Sequence, residues 1–193
     1  KEFVPTPESY TGNVDPLSKH ACYIEAKRFS ETLAMAYSRQ HNIPVKFLRI
    51  LLVYGPGIRN DGKVVSDFFN FAIKDREIKI RDKGEARRSF CYVSDAVRQI
   101  FKVIFHGNSG EAYNIADDSN NVSIKELAEE VARIVGEDIK VIPNLEAPEK
   151  EIYGIDTRNL DISKIRNLGF TPKVSLKEGL ERLKEHYQEE GII

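Results

Sequence analysis

Tyr23 and Lys27, in the stretch Tyr23-Ile-Glu-Ala-Lys27, have the residue types and the spacing for acid–base chemistry. On a helix, residues four apart lie one turn above each other on the same face. A free phenol holds its proton up to a pH near ~10. An ammonium one turn away favours the phenolate and brings such a group closer to proton transfer at neutral pH. The same spacing also occurs in ordinary surface pairs on amphipathic helices. What surrounds the pair must decide between the two readings.

From Leu17 to about Gln40, the apolar residues Cys22, Ala26, Phe29, Leu33, Ala36 and Tyr37 recur at helical intervals. Tyr23 and Lys27 lie beside that stripe, with Glu31 one turn further on, and Asn42 and Pro44 stop the helix. Val45 to Val53 then reads as one buried strand, short, apolar and rich in branched residues. A helix followed directly by an apolar strand is half of a βαβ unit and predicts a parallel α/β sheet. The strand runs into Tyr54-Gly-Pro-Gly57, a turn that uses glycine's freedom and proline's fixed φ.

Further along, Val64 to about Lys74 reads as a helix and Ile78 to Ile80 as a short strand. A charged loop from Arg81 to Arg88 leads to an extended piece, Ser89 to Tyr92, and to a helix from Asp95 to Phe105 with Asp95 as its N-cap. Glu111 to Ile115 reads as another strand. Two capping boxes, Ser123-x-x-Glu126 and Ser175-x-x-Glu178, open two more helices. Between these helices come a strand from Ile139 to Ile142, a Pro- and Glu-rich connection and a helical turn from Ile162 to Leu168.

The chain of 193 residues is the size of one domain, or of one domain with a small appendage. Its 41% hydrophobic and 31% charged residues match a soluble globular protein, and a net charge of −1 predicts no nucleic-acid or anionic-membrane partner. Its longest apolar runs are far short of a membrane span. Two cysteines, Cys22 and Cys91, make no disulfide framework and read as free, half-buried thiols in a reducing cytoplasm. The histidines lack ligand spacing, so no metal site is expected. An opening without methionine, in a Pro-rich polar segment with no apolar leader, reads as a fragment or a processed chain.

In order, the motifs are Glu8-Ser-Tyr-Thr-Gly-Asn-Val-Asp-Pro16, Ala21-Cys-Tyr-Ile-Glu-Ala-Lys-Arg28 with Glu31, Arg49, and Val53-Tyr-Gly-Pro-Gly57. Arg88-Ser-Phe-Cys-Tyr-Val-Ser-Asp95, Tyr113-Asn-Ile115, Asp161-Ile-Ser-Lys164 and Leu168-Gly-Phe170 follow. The ordered set resembles the C-terminal portion of the extended short-chain dehydrogenase/reductases, in their nucleotide-sugar epimerase, dehydratase and decarboxylase branch. UDP-glucuronate decarboxylases are the nearest in character.

The resemblance implies an α/β fold: the second half of a Rossmann-type parallel sheet with a small α/β substrate-binding domain. Residues 1–55 and 89–117 would be the remainder of the NAD-binding unit, and 56–88 and 118–193 the nucleotide-sugar-binding unit. It implies NAD as cofactor and a UDP-sugar or other nucleotide-diphosphate sugar as substrate. The sugar would be oxidised transiently at C4, then decarboxylated, epimerised or dehydrated. Tyr23 and Lys27 would be both catalytic and cofactor-binding, Tyr23 as the acid–base group and Lys27 as the group that holds the nicotinamide ribose and favours the phenolate. Arg88 and Arg158 would bind the diphosphate, Val64 and Phe68 the nucleotide, and Tyr54 would sit at the edge of the site. Relatives commonly pair as homodimers through the tyrosine-bearing helix.

Two features depart from the family pattern. No Gly-x-x-Gly-x-x-Gly turn, the dinucleotide fingerprint, occurs in the chain. By this resemblance the chain lacks that N-terminal Rossmann half and the Ser/Thr-bearing strand, and it opens just after the place where the Ser/Thr would sit. Leu52 also stands where relatives usually carry a polar residue that touches the sugar nucleotide. The alternative reading is a non-catalytic sugar-nucleotide-binding or scaffold fragment. With these residues alone, an exposed apolar sheet edge or a partner chain is predicted.

Overall fold

The computed structural model describes residues 3–18, 21–57, 61–146 and 157–192, with backbone alone at 157 and 158. Its helices are α1 Ala21–His41, α2 Val64–Lys74, α3 Val93–His106, α4 Ile124–Val135, α5 Ser163–Asn167 and α6 Leu176–Glu189. Its strands are β1 Phe47–Ile50, β2 Val53–Tyr54, β3 Glu77–Ile80, β4 Arg87–Ser89, β5 Cys91–Tyr92, β6 Ala112–Ile115, β7 Asn121–Ser123, β8 Lys140–Pro143 and β9 Thr157–Arg158. The Pro- and Glu-rich connection at 147–156 lies outside the described residues.

Helix α1 begins later than its apolar spacing predicts, because Asp15 organises a turn ahead of it. The Asp15 carboxylate accepts the Leu17 N–H at 2.9 Å, and its carbonyl accepts the Ser18 N–H at 3.0 Å. The helix ends where Asn42 takes a left-handed φ of 53°, a conformation asparagine tolerates. The predicted apolar stripe is present but uncovered. Of its 21 residues only Ala21 is buried, while Phe29 and Tyr37 are 65% and 57% exposed.

The expected single strand from Val45 to Val53 is two strands with different neighbours. β1 pairs in parallel with β6, Arg49 opposite Asn114, and β2 pairs in parallel with β5. The hand-over occurs at Leu52, whose φ of 41° is left-handed and whose carbonyl accepts the Cys91 N–H at 3.2 Å. Such a conformation costs about 1–2 kcal/mol in a residue other than glycine. Apolar periodicity cannot reveal that break, because both halves remain partly buried. Among the described residues β1 is paired on one edge only, and Ile50 at its end is 54% exposed.

Two apolar clusters hold the chain. One joins α2, α4 and α6 through Phe69, Leu127, Val131, Leu180, Leu183 and Tyr187. The other packs α3 and α5 on β6 through Val103, Tyr113, Ile115, Ile162 and Ile165. Ile162, Ile165 and Phe170 therefore pack with the second cluster, although the sequence division assigned them to the other unit. The Ser123 capping box forms in both directions, and the Ser175 hydroxyl accepts the Glu178 N–H at 3.2 Å. Asp95 is not the N-cap of α3, since Tyr92 occupies that position. It lies within the first turn and is 1% exposed.

Gly179 on α6 is set by its neighbours. A Cβ there would sit 2.2 Å from the Tyr54 hydroxyl oxygen and 2.8 Å from Tyr92 Cδ2. Alanine normally improves a helix interior by about 1 kcal/mol over glycine. Here the overlap wins, and Gly179→Ala is expected to lower unfolding free energy by about 1–3 kcal/mol. Urea denaturation checks this, with partial recovery when Tyr54→Phe removes the nearest atom; a stabilised Gly179→Ala protein would contradict it.

Candidate active site

Helix α1, the N-terminal segment and the ends of β1 and β6 enclose an open cleft of about 310 Å3. Tyr23 and Lys27 line one wall, Tyr10 and Thr11 belong to the N-terminal segment, and Arg49 and Asn114 reach it from β1 and β6. Tyr23 is 68% exposed, and the Lys27 ammonium lies 5.6 Å from the centroid of its ring. At that distance the cation is attracted to the ring face. Among the described residues Lys27 has no carboxylate partner. The pair thus presents a phenol and an uncompensated ammonium to one open space, which suits proton exchange and the holding of hydroxyl groups.

Burial does little to fix this helix, so polar contacts carry its position. Arg28 Nη1 donates to the Thr11 carbonyl at 3.0 Å. Arg49 grips Glu31 with a two-pronged contact, Nε to Oε1 at 2.9 Å and Nη2 to Oε2 at 2.8 Å. Its third nitrogen, Nη1, donates to the Glu8 carbonyl at 2.8 Å. The Glu8 carboxylate in turn accepts the Asn114 N–H at 2.9 Å. The Asn114 side chain donates to the carbonyls of Thr6 and Asp161 at 3.0 and 2.9 Å. Sequence reading assigned no role to Arg49, Glu8 or Asn114. A signal for Arg49 was available: a charge inside an otherwise apolar strand needs a partner, and Glu31 lies two turns below Tyr23.

The hydrogen bond from Arg49 holds the Glu31 carboxyl below its ordinary range. A depressed folded-state value means that the pair's stabilisation is fully present above the ordinary glutamate value of about 4.3. It is lost as pH falls through the folded-state value, when Glu31 takes up its proton. The anchoring of α1 is therefore expected to persist at pH 5 and to loosen only in stronger acid. Amide exchange in residues 21–41, followed from pH 6 to pH 3, measures it, and loosening already near neutrality would contradict it.

The other candidate residues lie elsewhere. Arg88, half-buried on β4, donates from Nη1 to the Arg87 carbonyl at 2.9 Å, and its backbone aligns in register with Arg158 on β9. The Arg158 side chain lies outside the described residues. Arg87 is engaged with Asn121 through Nε at 3.0 Å and with Glu126 at 3.3 Å. Val64 opens α2 half-buried against the first apolar cluster. Phe68 and Tyr54 are inside that cluster, 4% and 2% exposed. Burial pushes the Tyr54 phenol well above its ordinary range, and its hydroxyl donates to the Leu176 carbonyl at 3.2 Å. Tyr54 is thus a packing and hydrogen-bonding residue and not the edge of an open site.

The two thiols also differ from expectation: Cys22 is exposed and Cys91 buried. Burial pushes the Cys91 thiol up to about 12, which leaves it inert at neutral pH. Among the described residues no helix is long and apolar enough to cross a membrane.

Parallel β1–β6 and β2–β5 pairs flanked by helices, with a tyrosine–lysine helix beside the cleft, make this an α/β protein, and its likeness to the solved structures below makes it Rossmann-type. The chain belongs to the NAD-dependent epimerase/dehydratase family, whose profile matches residues 2–116. It is 38% identical over 188 residues to UDP-glucuronic acid decarboxylase 3 of Arabidopsis thaliana, covering 95% of this chain and 53% of the relative. To UDP-glucuronic acid decarboxylase 1 of Xenopus tropicalis it is 32% identical, covering 98% and 44%.

Among solved structures, UDP-glucose 4-epimerase of Thermotoga maritima with UDP-glucose superposes with a TM-score of 0.76 at 27% identity, covering 96% of this chain and 58% of that one. The Bordetella bronchiseptica enzyme WbmF in complex with NAD+ and UDP gives a TM-score of 0.79 at 26% identity, with 97% and 58% covered. The chain thus spans about half the length of the curated relatives it matches.

Proposed function

We propose that this chain supplies the acid–base pair and the sugar-nucleotide site of an NAD-dependent enzyme that modifies a nucleotide-diphosphate sugar. The observation that carries this reading is the placement of Tyr23 and Lys27 together on one open cleft. Tyr23 takes the proton of the sugar C4 hydroxyl as that carbon is oxidised, and returns it when the carbonyl is reduced. Lys27, an ammonium beside an exposed phenol and without a carboxylate partner among the described residues, fits the hydroxyl-bearing nicotinamide ribose. Bound NAD supplies the hydride acceptor and donor for this chemistry. The Gly-x-x-Gly-x-x-Gly fingerprint does not occur in these residues, so they fit only that end of the dinucleotide.

Arg88, in register with Arg158, suits the substrate diphosphate, since a guanidinium matches phosphate oxygens two at a time. Val64, half-buried at the start of α2, suits the border of the nucleotide in this reading, with Phe68 and Tyr54 as packing behind it. Similarity to the two UDP-glucuronic acid decarboxylases favours decarboxylation of UDP-glucuronic acid over epimerisation or dehydration. The open edge of β1 suits a further parallel strand from an upstream Rossmann half, and the uncovered aromatic face of α1 suits a second copy. Cytoplasmic residence is part of the same reading.

The test uses the intact protein that contains these residues, with NAD and a panel of UDP-sugars, read by mass spectrometry and NMR. Release of CO2, or formation of a 4-keto sugar or a 4-epimer, is the expected result. Binding of UDP-sugars by calorimetry with neither NAD binding nor turnover would favour a non-catalytic sugar-nucleotide-binding protein.

A further inference from the structure

We infer that Arg49 is the positioning residue of the cleft: one guanidinium fixes both the helix that carries Tyr23 and Lys27 and the N-terminal segment facing it. The inference rests on the reading of Tyr23 and Lys27 as the acid–base pair. Its basis is geometric. Arg49 stands on β1, the best-anchored element of the cleft, paired along its length with β6. All three guanidinium nitrogens are engaged within 2.9 Å: two on Glu31 of α1 and one on the Glu8 carbonyl. The planar fork of an arginine sets the direction of its partner as well as its distance.

Helix α1 has few other restraints. Only Ala21 is buried, and among the described residues its other polar tie to the facing segment is Arg28 to the Thr11 carbonyl at 3.0 Å. Glu31 lies one turn beyond Lys27 and two beyond Tyr23, so rotation of α1 at Glu31 would swing both side chains out of the cleft. The opposite wall is tied to the same strand pair, because Glu8 reaches the Asn114 N–H directly across from Arg49. A shift of either wall therefore requires breaking a contact to Arg49. Arg49 itself performs no proton transfer in this scheme.

The experiment compares Arg49→Met, Arg49→Lys and the exchanged pair Arg49→Glu/Glu31→Arg in the intact protein, with Tyr23→Phe alongside. Arg49→Met is expected to lower kcat about 10- to 100-fold, with KM for the sugar nucleotide changed less than about 3-fold. Amide exchange in residues 21–31 should quicken while residues 124–135 stay protected. Arg49→Lys, which retains the charge and loses the fork, should fall between, so the inference stays testable if the methionine protein does not fold. The exchanged pair should recover part of kcat.

Full kcat and unchanged exchange in Arg49→Met, with Tyr23→Phe inactive, would overturn the positioning role alone. An active Tyr23→Phe protein would overturn the acid–base reading instead, and faster exchange in Arg49→Met would then still support the anchoring of α1. Equal loss of protection in both regions would show general destabilisation and would also overturn the role.

Discussion

Replacing Tyr23 with phenylalanine in the intact protein is expected to lower kcat by about 10²- to 10⁴-fold, the usual contribution of a positioned acid–base group. That corresponds to roughly 3–5 kcal/mol of barrier. The substitution removes one oxygen and little else. The ring is 68% exposed, and Lys27 rests on its face, which phenylalanine also presents to a cation. Stability and substrate affinity should therefore change little, and the loss should fall on kcat. Steady-state kinetics with a thermal melt decide it. A Tyr23→Phe protein within threefold of normal turnover would remove Tyr23 from the chemistry.

Asp95→Ala is expected to have the largest effect on stability, about 2–4 kcal/mol, because it removes the acceptor of buried backbone donors together with one side of an ion pair. The Asp95 carboxylate accepts the Lys173 and Val174 N–H groups at 2.8 and 3.0 Å and the Arg98 guanidinium at 2.6 Å. It thereby docks the lead into α6 against the first turn of α3. Alanine leaves the Val174 N–H buried without an acceptor, which costs about 1–3 kcal/mol, and removes the counter-charge of Arg98, whose side chain is 37% exposed and is partly compensated by water. Asp95→Asn retains one acceptor oxygen and should lose less. Urea denaturation of the intact protein measures both, and a loss below 1 kcal/mol for the alanine variant would show that other contacts hold α6.

Element type was legible in the sequence wherever period and caps agreed. α4 carries a complete capping box and a regular apolar face, and α2 runs from Val64 to Lys74 as its spacing predicts. Strands β7 and β9, of three and two residues, were not legible. They are too short for a period, and they exist because β4 pairs with both. Acidic residues favour helix starts, so local sequence makes Asp95 a cap; its partner Lys173 lies 78 residues away. The Arg49–Glu31 contact was half legible, as a charge in an apolar strand without a named partner.

Tyr23 and Tyr54 mark the boundary between what the chain encodes locally and what folding adds. The helical period alone determined that Tyr23 and Lys27 share a face, because a repeat of 3.6 residues is a local property of the backbone. It likewise determined the parallel α/β class, since helix and apolar strand alternate along the chain. Only the tertiary structure decided that Tyr23 faces an open cleft while Tyr54 is buried with its hydroxyl held by Leu176. Exposure depends on which distant segments cover a residue. For Tyr54 that segment is α6, 122 residues further along.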